Sequence, residues 1–118
     1  MESELDFLLG RAINSLPKLE ILVHFQQEGS SVRSPAEIGV RLRRPTGEIT
    51  TALEELAHAG LVDRFALGTG RRVLYGARND TYVQQVLQVL YARYQDPDAR
   101  RQLLQHALGQ GGNGDSDS

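Results

Sequence analysis

Ile49, Ala52, Leu53 and Leu56 fall at the i, i+3, i+4, i+7 spacing of a helix with one buried stripe, and Gly60 stands where that helix must end. Two β-compatible runs follow, Leu61 to Leu67 and Arg71 to Ala77, joined through Gly68-Thr69-Gly70, which reads as a hairpin tip. This succession of amphipathic helix, glycine stop and hairpin is the strongest constraint on the fold. Neither element buries its apolar face alone, so both need further helices to pack on.

Those helices are legible from their ends. Leu5, Leu8, Leu9, Ala12 and Ile13 recur at helical spacing and describe a first amphipathic segment. Ser15 is expected to cap the next helix, with Pro17 in its first turn and Leu19, Leu22 and Val23 as its buried stripe. Ser34-Pro35-Ala36-Glu37 has the pattern of a capping box, so a short helix should start there, bury Ile38 and Leu42, and stop at Pro45. Thr46 is expected to cap the helix that carries Ile49 to Leu56. Asp80 should cap a long helix through Tyr94, and Asp96-Pro97 should restart it toward Leu108. Residues 109–118 carry no apolar side chain and are expected to be a disordered tail. The predicted fold is mainly α with a small β-hairpin, one domain over residues 1–108.

Composition narrows the function classes. The chain has 118 residues and a formal charge of only −2, which does not suit a surface coated in nucleic acid. The charge is unevenly placed, however: residues 33–78 hold eight arginines against five acids, and the flanking segments are acidic. A local excess of positive charge therefore coincides with the helix and hairpin. There is no cysteine, which excludes disulfides and thiolate metal sites and is compatible with a cytoplasmic location. No apolar run approaches the ~20 residues of a membrane span, and the acidic start (Glu2, Glu4, Asp6) is unlike a secretory signal. His24, His58 and His106 lack the spacing of a metal motif, and no nucleophile motif is present, so neither an enzyme nor a metal or other cofactor is expected. The Gly68-Thr69-Gly70 segment is not a phosphate loop, since Val73 replaces the third glycine and no helix follows.

The stretch Ile49-Thr50-Thr51-Ala52-Leu53-Glu54-Glu55-Leu56-Ala57-His58-Ala59-Gly60-Leu61-Val62 resembles the recognition-helix signature of the winged helix-turn-helix transcription regulators, the ArsR-like and MarR-like groups especially. Gly70-Arg71-Arg72-Val73-Leu74-Tyr75 is similar to their returning wing strand. The resemblance covers about residues 15–78. It implies a winged helix-turn-helix with additional N- and C-terminal helices, acting as a transcription regulator on double-stranded DNA. The chain departs from these families at Thr51, Ala52, Glu54 and Glu55, where they often carry Arg, His or Lys.

With the apolar stripe buried, the base-facing candidates are Thr46, Gly47, Thr50, Thr51 and Glu54. Gly47 would allow close approach, and threonine can meet either a base or a phosphate. Arg41, Arg43 and Arg44 before the helix, and Arg64, Arg71 and Arg72 in the hairpin, are the backbone-contact candidates. Strand alternation sends the neighbours Arg71 and Arg72 to opposite faces. A wide apolar arc on the 80–94 helix (Tyr82, Val86, Val89, Leu90, Tyr94), with Leu5, Leu8 and Leu9, suggests a homodimer reading a pseudo-palindrome. Any small-molecule effector, its identity unknown, would sit in a tyrosine-bearing cleft between that helix and the wing. The alternative is a protein-binding module that turns Glu48, Glu54 and Glu55 toward a basic partner.

Overall fold

The computed structural model describes residues 10–29, 31–68 and 72–116, with side chains through Leu108. Leu5, Leu8, Leu9 and Arg71 lie outside the described residues. The elements run α1 (Leu16–Glu28), α2 (Pro35–Leu42), α3 (Thr46–His58), β1 (Val62–Leu67), β2 (Arg72–Ala77), α4 (Thr81–Gln95) and α5 (Pro97–Ser116). The described residues are thus mainly helical with one two-stranded antiparallel hairpin. The last helix continues past Leu108, where the sequence reading ends the ordered domain.

Local hydrogen bonding explains most boundaries. The Ser15 side chain accepts from the Lys18 N–H at the start of α1, and Asp80 accepts from Val83 N–H at the start of α4. Ser34 and Glu37 form both halves of a capping box around Pro35. Asp96 accepts from the Ala99 N–H and so restarts the chain into α5 after α4. Thr46 departs from expectation. It is the first residue of α3, the cap position is held by Pro45, and no side chain caps that end. Proline at the cap has the extended backbone of an N-cap (φ −60°, ψ 143°) but no side-chain acceptor, so the first N–H groups of α3 have no side-chain cap.

The turn from α2 to α3 is tight. Arg43 adopts the left-handed conformation (φ 59°, ψ 48°), which closes α2, and the Arg44 N–H returns to the Gly39 carbonyl at 2.9 Å. A Cβ added to Gly39 would lie 2.7 Å from the Arg44 carbonyl oxygen, so this approach requires glycine. At the far end of α3, Gly60 takes φ 85° and the Leu61 N–H closes onto the Leu56 carbonyl at 3.0 Å.

The core is continuous across these elements. Ile13, Leu19, Leu22, Phe25, Ile38, Ile49, Leu53, Leu56 and Leu87 are fully buried within it. α3 packs against α2, α1 and β1, while α4 packs against α1 and α5. In the hairpin, Arg64 pairs with Tyr75 and Leu67 with Arg72. The far edge of β2 is also engaged: Arg33 and Tyr75 exchange backbone hydrogen bonds at 2.9 and 2.8 Å, an isolated antiparallel bridge. The hairpin is therefore held both by its own ladder and by the segment between α1 and α2.

The wide apolar arc of α4 finds its partners inside one chain. Val86 and Leu90 are fully buried in the protomer's own core, which corrects their assignment to a dimer interface. The arc is wide because α1 and α5 cover it from two sides. Val89 and Tyr94 are half-buried, and Tyr82 stays 49% exposed. No helix among the described residues is long and apolar enough to cross a membrane.

Candidate nucleic-acid interface

α3 buries Ile49, Ala52, Leu53 and Leu56, so its opposite side is the exposed one. Thr46, Gly47, Thr51, Glu54, Glu55 and His58 are all exposed. Thr50 is half-buried, and its hydroxyl donates to the Thr46 carbonyl at 2.9 Å. That back-bond commits its proton and leaves the oxygen able only to accept. Thr51 lines a shallow pocket of about 300 Å³ with Lys18, Glu48 and Glu55, so it lies in a groove between α3 and the start of α1.

The acidic side chains of this face are all paired within the chain. Glu48 meets Arg44 at 2.7 Å, one turn away. Glu55 meets Lys18 at 2.6 Å, and the same ammonium donates to the Asn14 side-chain oxygen at 2.9 Å. Glu54 accepts from the Tyr75 hydroxyl and binds Arg64 Nε at 3.3 Å. Three carboxylates that stand out in the sequence as an acidic face are thus each neutralised by a cation of another element or turn. Glu54 serves the seam between α3 and the hairpin while its side chain stays half exposed. Burial raises the Tyr75 phenol above its ordinary pKa, and the Glu54 carboxylate beside it acts in the same direction.

The arginines divide accordingly. Arg44 is held by Glu20 at 2.7 Å as well as by Glu48, and only 22% of its side chain is exposed. The Glu20 hydrogen bond is the main cause of its raised pKa. A phosphate contact by Arg44 would compete with these two carboxylates. Arg41 shares Glu28 with Arg33, at 3.4 and 3.2 Å, and remains largely exposed. Arg64 is bound to Glu54. Pleat alternation places Arg64 and Arg72 on opposite faces of the hairpin, so they cannot straddle one phosphate strand together. Arg43 and Arg72 are exposed and make no side-chain ion pair among the described residues.

Lys18, Glu20 and Tyr75 were not among the candidates, although each decides which charges remain free. Lys18 and Glu20 are ordinary members of a helical run, and Tyr75 reads as a strand aromatic. Their partners lie 21 to 37 residues away, beyond any local signal. Among the described residues no group of three or more His, Asp or Glu comes together.

Behind the hairpin lies a larger cleft of about 530 Å³, between β1, β2, the end of α1 and the start of α4. It occupies the place anticipated for an effector, but the residues that line it include carboxamides and no tyrosine. Comparison with protein-family models, curated proteins and solved structures returns no match.

Proposed function

We propose that the chain is a DNA-binding transcription regulator of winged-helix type, with α3 as its recognition helix and the β1–β2 hairpin as its wing. The observation that carries this reading is the pairing of Glu48, Glu54 and Glu55 with Arg44, Arg64 and Lys18. Paired carboxylates repel phosphate far less than free ones, so the acidic sequence of α3 ceases to oppose approach to a duplex. The exposed start of α3 then offers Thr46, Gly47 and Thr51, the part of such a helix that meets base edges. Arg43 precedes it by three positions and Arg72 projects from the hairpin, both exposed and available for backbone contacts. The tight α2–α3 turn at Gly39 and the strand-like bridge from Arg33 to β2 support the same architecture.

The same pairings weigh against the protein-binding alternative, which needs those glutamates free for a basic partner. Assembly as a homodimer on a pseudo-palindrome is a second part of the proposal. It rests on Tyr82 and on the open edges of Val89 and Tyr94, because Val86 and Leu90 serve the chain's own core.

The deciding experiment is fluorescence anisotropy of the full chain against pooled genomic fragments of its host, at several salt concentrations, with bound fragments sequenced. Saturable binding with a steep salt dependence and one enriched inverted repeat is expected. Absence of binding at low salt overturns the reading.

A further inference from the structure

The hairpin face opposite Arg64 and Tyr75 carries Asp63, Phe65, Leu67, Arg72, Leu74 and Gly76. Part of this face walls the 530 Å³ cleft, a volume within the range of small-molecule sites. The lining chemistry is polar but nearly uncharged. Gln26, Asn79, Gln84 and Gln88 contribute four carboxamides, and Asp63 is the one charged residue among those lining it.

Two details make this more than a surface fold. Gln84 donates its amide to the Arg78 carbonyl at 2.7 Å, which fixes the group and leaves its carbonyl oxygen as an acceptor. Phe65 lines the cleft while remaining 43% exposed, so an aromatic surface stands beside the amides. The wall is also closely built. A Cβ on Gly76 would lie 2.8 Å from Val32 Cγ1, so glycine there lets the 31–32 segment lie directly on β2.

A carboxamide offers a donor and an acceptor in one plane, the pairing that Asn and Gln make with the donor–acceptor edge of adenine. An aromatic ring beside it favours a flat partner. An anion would meet Asp63 and find no cation among the lining residues. We propose that this cleft binds a free, uncharged, planar heterocycle with adjacent hydrogen-bond donor and acceptor atoms, laid against Phe65 and paired through the carboxamides. Its occupant would touch both the hairpin and α4. The proposal does not depend on DNA binding.

The test is a titration of the ¹⁵N-labelled full chain, followed by NMR at neutral pH, with adenine, purine, benzoate and benzamidine as probes. Adenine should shift Ser31, Val32, Phe65, Gly76 and the side-chain amides of Gln84 and Gln88 saturably. Purine, which lacks the exocyclic donor, should bind roughly tenfold more weakly. Gln88→Leu and Phe65→Ala, both at exposed positions, should each weaken adenine by roughly tenfold while the spectrum away from the cleft is unchanged. The proposal is overturned if adenine produces no localised shifts, if benzoate or benzamidine binds as tightly, or if both variants bind adenine like the parent.

Discussion

Tyr75, in the middle of β2, donates its hydroxyl to the Glu54 carboxylate of α3, and Arg64 binds the same oxygen from the position directly across the hairpin. The phenol is buried while Glu54 and Arg64 are half exposed, so the contact joins the core to the surface at the seam between helix and hairpin. Tyr75→Phe keeps the ring and removes only the hydroxyl. It should cost about 0.5–1.5 kcal/mol in urea unfolding with an unchanged m-value. Tyr75→Ala should cost about 3–5 kcal/mol, since the ring itself fills the core. A Tyr75→Phe variant as stable as the parent would remove the hydrogen bond from the account.

Gly39 sets the distance between α2 and α3. Replacing a helical glycine by alanine normally stabilises by about 0.5–1 kcal/mol. Here the new Cβ would meet a backbone carbonyl at 2.7 Å, and a backbone atom cannot rotate away. The steric term should win, and Gly39→Ala should destabilise by about 1–3 kcal/mol. Gly47, whose Cβ would meet nothing within 4 Å, is the control and should gain stability on the same change. Chemical denaturation of the two variants checks both signs.

His24 is buried on α1 with Nε2 unpartnered among the described residues. Burial holds its pKa below the ordinary value; Glu28 opposes this, and Arg41 and Arg33 reinforce it. The folded chain therefore keeps this ring neutral at a pH where the unfolded chain protonates it. Its contribution is complete above about pH 6.5 and declines as the pH falls from there toward the lowered folded value. His24→Leu should accordingly lose less stability than the parent between pH 7.5 and 5.5. Parallel thermal melts at the two values test this, and an identical pH dependence would refute it.

The division of the arginines gives a paired prediction. Arg43→Ala with Arg72→Ala should leave the melting temperature unchanged and lower the salt slope of DNA binding by about one to two units. Arg44→Ala should do the reverse at the level of folding, because it strands Glu20 and Glu48 without their shared cation. Its melting temperature should fall measurably. If the Arg43/Arg72 variant binds with the parent's slope, those two side chains do not contact phosphate.

Element ends were legible in the sequence because they are set by neighbours three residues apart. Ser15, the Ser34–Glu37 box, Asp80, Asp96 and Gly60 all occupy the expected positions. Thr46 misled because α3 begins one residue earlier than expected, with Thr46 inside the helix and Pro45 at the cap. The apolar stripe of α3 was equally readable, since 3.6-residue periodicity determines which side is buried regardless of what covers it.

Which charges remain free was decided only by the tertiary structure. Arg44 reaches Glu20 across 24 positions, Lys18 reaches Glu55 from α1, and Arg64 reaches Glu54 from the hairpin, so the carboxylates of α3 are paired by cations that sequence spacing does not reveal. The same holds for α4: its periodicity showed a wide apolar arc, but only packing assigned that arc to α1 and α5. The sequence by itself determined the elements, their ends and their buried faces, because these follow from backbone hydrogen bonding and periodicity within one turn. The tertiary structure decided the partners, because a salt bridge or an interface depends on distances that chain spacing does not encode.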